Sequence, residues 1–262
     1  MFRFTLIFLL TFTLAFAENN ESKKDILYTN LVGVAVITAW GVANWDYGKR
    51  KPYSDNEEWF GRDTDSGGAD KVGHFYASYI VGSGLSGLYE SWGYTQKDSA
   101  LYGSLSSFFL MNYMEVGDAF SEYGFSYEDF LMNTLGSFSS YLFYTNPELS
   151  KRIDLRIEYV PSFDTADIVT EYEKMKYLLA IKAEGFDIIS NPYLKYTELH
   201  IGYYTRNYED GHSQESERII YLGVGINLSR VARQNNYKKT ARFLNYYQIP
   251  YTYIPFEKDL NK

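Results

Sequence analysis

The sequence predicts an α+β protein, with a helical first half and a β-rich second half. Two observations carry this. Before Pro147 the chain holds four helix-length stretches without a formal charge. After Pro147 the hydropathy period shortens to that of half-buried strands. The expected architecture is a four-helix, Gly/Ser/aromatic-rich bundle, membrane-embedded or membrane-associated, followed by a small antiparallel β-sheet.

The four stretches are Ile26–Trp45, Val72–Tyr89, Ser99–Met114 and Phe130–Pro147. Gly, Ser and Ala recur in them at spacings that let helices approach closely, as in "GSGLSGL" at Gly82–Leu88. Two readings follow. The helices span or dip into a bilayer, which takes roughly 17–25 apolar residues each. Or they form a compact bundle buried nearly all round. The links between them are polar. The longest, Asp46–Gly68, carries charges of both signs, and its "EWFG" is placed to pack back on the bundle or close over a site.

In the second half, "RIDLRIEYV" (Arg152–Val160) alternates apolar and charged residues. Tyr177–Ala183, Tyr193–Tyr208 and Glu217–Val231 are likewise strand-like. The last two are joined by a polar turn containing Asp210-Gly211, a hairpin signal. Phe243–Phe256 is expected to add an edge strand, because its two prolines bar it from a sheet centre. Five strands cannot close a transmembrane barrel in one chain, which takes at least about eight.

Ahead of these, residues 1–17 read as a Sec-type signal peptide, with one early Arg, an apolar run and Ala15-Phe16-Ala17 as a small-x-small cleavage pattern. An uncleaved N-terminal anchor is the other reading. The expected organisation is a signal peptide at 1–17, a helical domain at 18–150 and a β-rich region at 151–262. The chain is thus expected to be exported, to the periplasm or an envelope membrane. The sequence contains no cysteine, which removes disulfides, thiolate metal sites, a Cys nucleophile and a lipidated Cys. A net charge of −8 without basic clusters excludes nucleic acid as the expected partner and gives no attraction to anionic headgroups, while export and an aromatic-rich, cysteine-free composition point to a membrane or envelope component. The 27 tyrosines and 18 phenylalanines suit boundaries between apolar and wet zones.

Candidate chemistry gathers in two segments. In "GGADKVGHFYASY" (Gly67–Tyr79), Asp70 and His74 lie four apart and share a helix face, with Lys71 between. By themselves they read as a first-turn acid and the His that it satisfies. "MEVGDAFSEYGFSYEDFLMNTLG" (Met114–Gly136) adds Glu115, Asp118, Asp129 and Asn133. Ser126 and Asp129 have the spacing of a capping motif, with Asp129 reaching back toward the Ser126 amide. Asn133, inside an apolar run, needs a hydrogen-bond partner. Antiparallel second and third helices set His74 level with Glu115, and the fourth helix starts at the same end. Asp70, Lys71, His74, Glu115, Asp118, Asp129 and Asn133 are therefore expected at one end of the bundle. So many charges together must share protons, perturb one another or bind a cation.

These motifs, "WFG-D", "GGADK-GHFYASY", Glu115-x-x-Asp118 and "YGFS-ED---N-LG", resemble the YfiM-like bacterial envelope proteins over roughly Trp59–Pro161. That resemblance implies a periplasmic lipoprotein of unknown function, although this sequence has no cysteine to carry the lipid. More loosely, the order of Asp, Lys, His, Glu, Asp and Asn is similar to VanZ-like membrane proteins, which implies a four-helix membrane bundle with a polar cluster. Neither resemblance implies a reaction.

Two functions are expected from different classes. One is a non-catalytic envelope protein in which the cluster fixes helix register or binds a partner. Asp70, Lys71 and Asn133 would belong to that network. The other is an envelope hydrolase or transferase acting on a lipid or cell-wall intermediate, with His74, Glu115, Asp118 and Asp129 as candidate catalytic groups. The sequence shows no HExxH and no G-x-S-x-G, and it names no cofactor or metal. Dry, direct Lys–Asp and His–Glu pairs would favour the first function, and an open pocket the second.

Overall fold

A computed structural model describes residues 23–161, 170–208 and 213–262. The signal segment, Asp210-Gly211 and His212 lie outside the described residues. Four long helices come first: α1 (Lys24–Asn44), α2 (Ala69–Ser91), α3 (Gln96–Asp118) and α4 (Tyr127–Thr145). Each expected apolar stretch corresponds to one of them: α2 and α3 extend past theirs at both ends, while α1 and α4 begin earlier and stop one and two residues short. Thr95 caps α3 by accepting the Asp98 amide, and Ser126 caps α4 by accepting the Asp129 amide. α2 instead starts from Gly68, whose φ of 85° is open to glycine at little cost.

Helices α2, α3 and α4 pack on one another, and α1 packs on α3. The mutual contacts are built from small and hydroxyl side chains. Ser107 donates to the Ser78 carbonyl at 2.7 Å, and Ser137 donates to Ser107 at 3.1 Å. A Cβ on Gly103 would sit 2.5 Å from the Ser86 nitrogen. Leucine and phenylalanine lie on the other side: Leu101, Leu105, Phe130, Leu131, Leu135 and Phe138 are exposed. α1 adds Tyr28, Leu31, Val32, Val36 and Val42 to the exposed apolar surface, while its Asn30 reaches Ser106 at 2.8 Å. Among the described residues α1 is the one helix long and apolar enough to cross a bilayer.

The link between α1 and α2 packs back on the molecule, as "EWFG" foreshadows. Its β1 (Ser54–Asp55) pairs in parallel with β2 (Phe125–Ser126), and Phe60 stacks edge-on against Tyr203 at 5.6 Å.

After α4, the short α5 (Pro147–Arg152) leads into β3 (Ile153–Tyr159), β4 (Met175–Lys182), β5 (Thr197–Arg206), β6 (Glu217–Ile226) and β7 (Tyr253–Asp259). They form one antiparallel sheet in sequence order. Two helices not foreseen in the sequence, α6 (Leu228–Gln234) and α7 (Lys238–Phe243), separate β6 from β7. The expected edge strand is β7, later than anticipated, with Pro255 on the sheet margin where a missing N–H costs nothing. The segment before β7 runs along the opposite margin: the Gln248 amide donates to the Ile157 carbonyl at 2.8 Å. The sheet therefore curls, and one continuous segment joins its two sides.

The enclosed face of this sheet carries a polar network beside an apolar cluster of Leu178, Ala180, Tyr204, Ile219 and Tyr221. Arg156 donates to both carboxylate oxygens of Glu198 at 2.7 and 3.0 Å, to Asp154 at 2.6 Å and to Gln248 at 2.9 Å. Lys182 meets Asp154 at 2.6 Å, and His200 meets Glu198 at 2.8 Å. Two carboxylates face two permanent cations, so this network is close to charge balance. On the other face, Leu155, Ile157, Tyr159, Met175 and Tyr177 dock on Tyr76 and Tyr79 of α2. The same face continues into Leu199, Ile201, Leu222, Val224, Ile254 and Phe256, which are exposed.

Candidate functional site

The polar residues expected at one end of the helices do meet there, around Lys71. Its side chain is only 1% exposed, and its ammonium contacts carboxylates from three parts of the chain. Asp129 of α4 lies at 3.0 Å through either oxygen, Asp70 of α2 at 2.8 Å, and Glu57 of the α1–α2 link is in direct contact. Burial pulls the Lys71 pKa down, but Asp70, Asp129 and Glu57 together more than reverse this and hold it charged.

His74 lies one turn further along α2. It turns away from its expected Asp70 partner, which goes to Lys71, and reaches across to α4 and α3. Its Nδ1 is 3.3 Å from Asn133 Oδ1 and 3.5 Å from Glu115 Oε1, and its Nε2 is 3.8 Å from Asp129 Oδ2. Asn133 is fully buried and has the partners its position demands. It accepts from Ser78 at 2.9 Å and donates to the Met111 carbonyl at 3.3 Å. This fixes Oδ1 as the acceptor toward His74, so Nδ1 carries the proton and Nε2 a lone pair. Burial also lowers the His74 pKa, favouring the neutral ring.

Glu115, 2% exposed, and Asp129, 4% exposed, complete the inner part. Burial, then the charge of Asp129 and Asp118, pushes the Glu115 pKa well up. Asp129 is also raised by burial, against the pull of Lys71. Ser126 accepts the Asp129 amide at 3.2 Å, so half of the expected capping arrangement forms, while the Asp129 carboxylate goes to Lys71.

Asp118 sits apart from His74. It lies beside Tyr47, whose hydroxyl donates to the Met114 carbonyl at 3.0 Å and whose ring fills the space left by Gly41 of α1 and Gly117 of α3. Glu57 and Tyr47 were not among the expected site residues. The only sequence signal for them was that a charged link of this length needs a purpose.

Burial is the main cause that pushes both Asp118 and Glu57 up to about 7. Both acids then keep protons in the fold that the unfolded chain releases at ordinary carboxylate pKa values, so stability falls as pH rises from the carboxylate range through about 7. In the presence of a chelator, the urea midpoint is expected to fall between about pH 5 and about pH 8. Asp118→Asn should flatten that slope. An unchanged slope would place the titration elsewhere.

Two cavities lie away from this cluster. One, of about 270 Å³, runs between Tyr79, Phe143, Tyr144 and Tyr246, and the other lies beside Glu217 and Asn261. The cluster is closed instead by direct pairs and by Tyr172 and Tyr177, which approach α2 at Gly73.

Residues 56–145 match a family model described as "Predicted periplasmic lipoprotein (DUF2279)". The matched stretch covers α2–α4 and every residue of the cluster, from Glu57 to Asn133, and leaves out α1 and the curled sheet. No curated protein and no solved structure matches the chain. The chain is an exported protein of the periplasm or envelope.

Proposed function

We propose that this is a membrane-associated envelope protein with a structural or binding role, centred on the buried polar cluster of its helices. The observation that carries the reading is Lys71. One buried ammonium ties the α1–α2 link, α2 and α4 together by direct ion pairs, which suits a lock or a docking centre better than a substrate pocket. Membrane association is supported by α1 and by the distribution of side chains, with serine and glycine between the helices and leucine and phenylalanine outside. In this reading the four long helices act as one bundle. The likeness to YfiM-like envelope proteins and, more loosely, to VanZ-like membrane proteins supports the same placement.

A second reading, an envelope hydrolase or transferase, is favoured by one observation. His74 keeps 13% of its side chain exposed beside carboxyl groups of raised pKa.

Cell fractionation and two variants test these readings. The full chain is expected in a membrane fraction, resistant to salt washing and released by detergent. Recovery in the soluble periplasmic fraction would overturn the membrane assignment. His74→Ala and Asp129→Asn are expected to lower stability in step with any envelope phenotype. A lost phenotype with undiminished stability in both would replace the structural reading with the enzymatic one.

A further inference from the structure

We propose that His74, Glu115 and Asp129 form a site for a divalent first-row transition cation. The inference deepens the binding reading above and rests on it. One atom of each residue can be chosen so that all three lie within 4.8 Å of one another. They come from three different helices, so an ion there would pin α2, α3 and α4 at one point.

Three features point to a cation rather than a mere crowd of acids. First, the charge does not balance. Lys71 serves Glu57, Asp70 and Asp129, whereas Glu115 is buried with no Lys or Arg pairing it among the described residues. Second, the ring of His74 is oriented. Asn133, itself held by Ser78 and Met111, accepts from Nδ1. Glu115 Oε1 lies on that Nδ1 side at 3.5 Å, from which a side-chain turn would bring it to the same ion as Nε2, whose lone pair is left 3.8 Å from Asp129 Oδ2. A lone pair facing a carboxylate at that distance makes no hydrogen bond. It is close to the ~3.4 Å between two ligands that sit ~2.1 Å from a shared tetrahedral ion. Third, the donor set is one imidazole and two carboxylates. The imidazole suits zinc, copper, iron or nickel better than calcium, magnesium or manganese, and two carboxylates neutralise a divalent charge. Asn133 is then a positioning residue for the ligand His74, in the manner of the outer partners that orient metal-bound imidazoles.

The test is titration of the full chain, purified in detergent and stripped with chelator, with Co²⁺ as the probe. Visible d–d absorption reports coordination, and a urea midpoint reports stability. The expected result is a saturable band at one equivalent and a raised midpoint. Both should be lost in His74→Ala and in Glu115→Gln, and the affinity weakened about 10–100-fold in Asn133→Asp, which keeps an acceptor but changes its charge. Absence of a saturable band in the unmodified chain would overturn the site. So would a band of equal strength in a folded His74→Ala, and because the unmodified chain decides first, failure of a variant to fold does not protect the proposal. Lys71→Met in chelator separates the two readings. If it is destabilised while the parent shows no band, the cation is rejected and the lock stands. If the parent shows the band and Lys71→Met is as stable as the parent, the lock is rejected and the cation site stands.

Discussion

Replacing Lys71 by Met is expected to cost about 3–5 kcal/mol of folding free energy at neutral pH, the loss typical of removing one member of a buried ionic group. Methionine fills nearly the same volume, so the loss comes from charge rather than from a void. It leaves Glu57, Asp70 and Asp129 facing one another with no ammonium between them. Each can escape by taking up a proton, and Glu57 already stands at about 7. The penalty should therefore shrink toward about pH 5, where protonation is easy. Urea unfolding followed by far-ultraviolet circular dichroism at the two pH values, with chelator present, measures both effects. A loss under about 1 kcal/mol at neutral pH would show that the cluster carries its own compensation without Lys71.

The second large effect is expected at Gly136, where α4 meets α2. A Cβ there would fall on the Phe75 carbonyl oxygen, 2.9 Å from its carbon and 2.9 Å from Ser78 Cβ. Backbone cannot step aside as a flexible side chain can. An exposed mid-helix Gly→Ala normally gains up to about 1 kcal/mol from helix propensity. At Gly136 the sign should reverse, with a cost of about 1–3 kcal/mol from overpacking. Because Asn133 and Asp129 ride on the same helix, separation of α4 from α2 also stretches their contacts with His74 and Lys71. Gly84, on α2 with open space where its Cβ would lie, is the control, and Gly84→Ala should gain the usual increment. If Gly136→Ala stabilises as much as Gly84→Ala, the helices are not held by backbone contact at this point.

The same two positions show how much the sequence reveals. Small residues at helical spacing announce close-packed helices, and the uncharged runs place all four within a few residues of their observed ends. The convergence of Asp70, Lys71, His74, Glu115, Asp129 and Asn133 follows from antiparallel helices alone. What does not follow is pairing at side-chain scale. Asp70 and His74 share a helix face by spacing, yet Asp70 goes to the adjacent Lys71 while His74 reaches across to α3 and α4. Glu57 sits in a link whose path no periodicity encodes. Asp118 lies one turn beyond Glu115 on the same helix, beside Tyr47 of the α1–α2 link, a neighbour that no spacing announces. In the sheet, alternation along Arg152–Val160 reveals the period and not which face is enclosed. Asp154 and Arg156 are the buried members, and Leu155 and Ile157 lie against α2 on the opposite face.

That enclosed network also constrains the route by which the sheet can form. Arg156 binds groups from β3, β5 and the segment before β7, and its bond to Gln248 spans 92 residues of chain. A partly assembled sheet would dehydrate some of these charges before their partners arrive, at a cost of several kcal/mol for each ion. Water can leave only after all the strands are in place. Folding of this half after export is therefore expected to be all-or-none and slow, with a barrier set by closing that long loop rather than by any single strand pair.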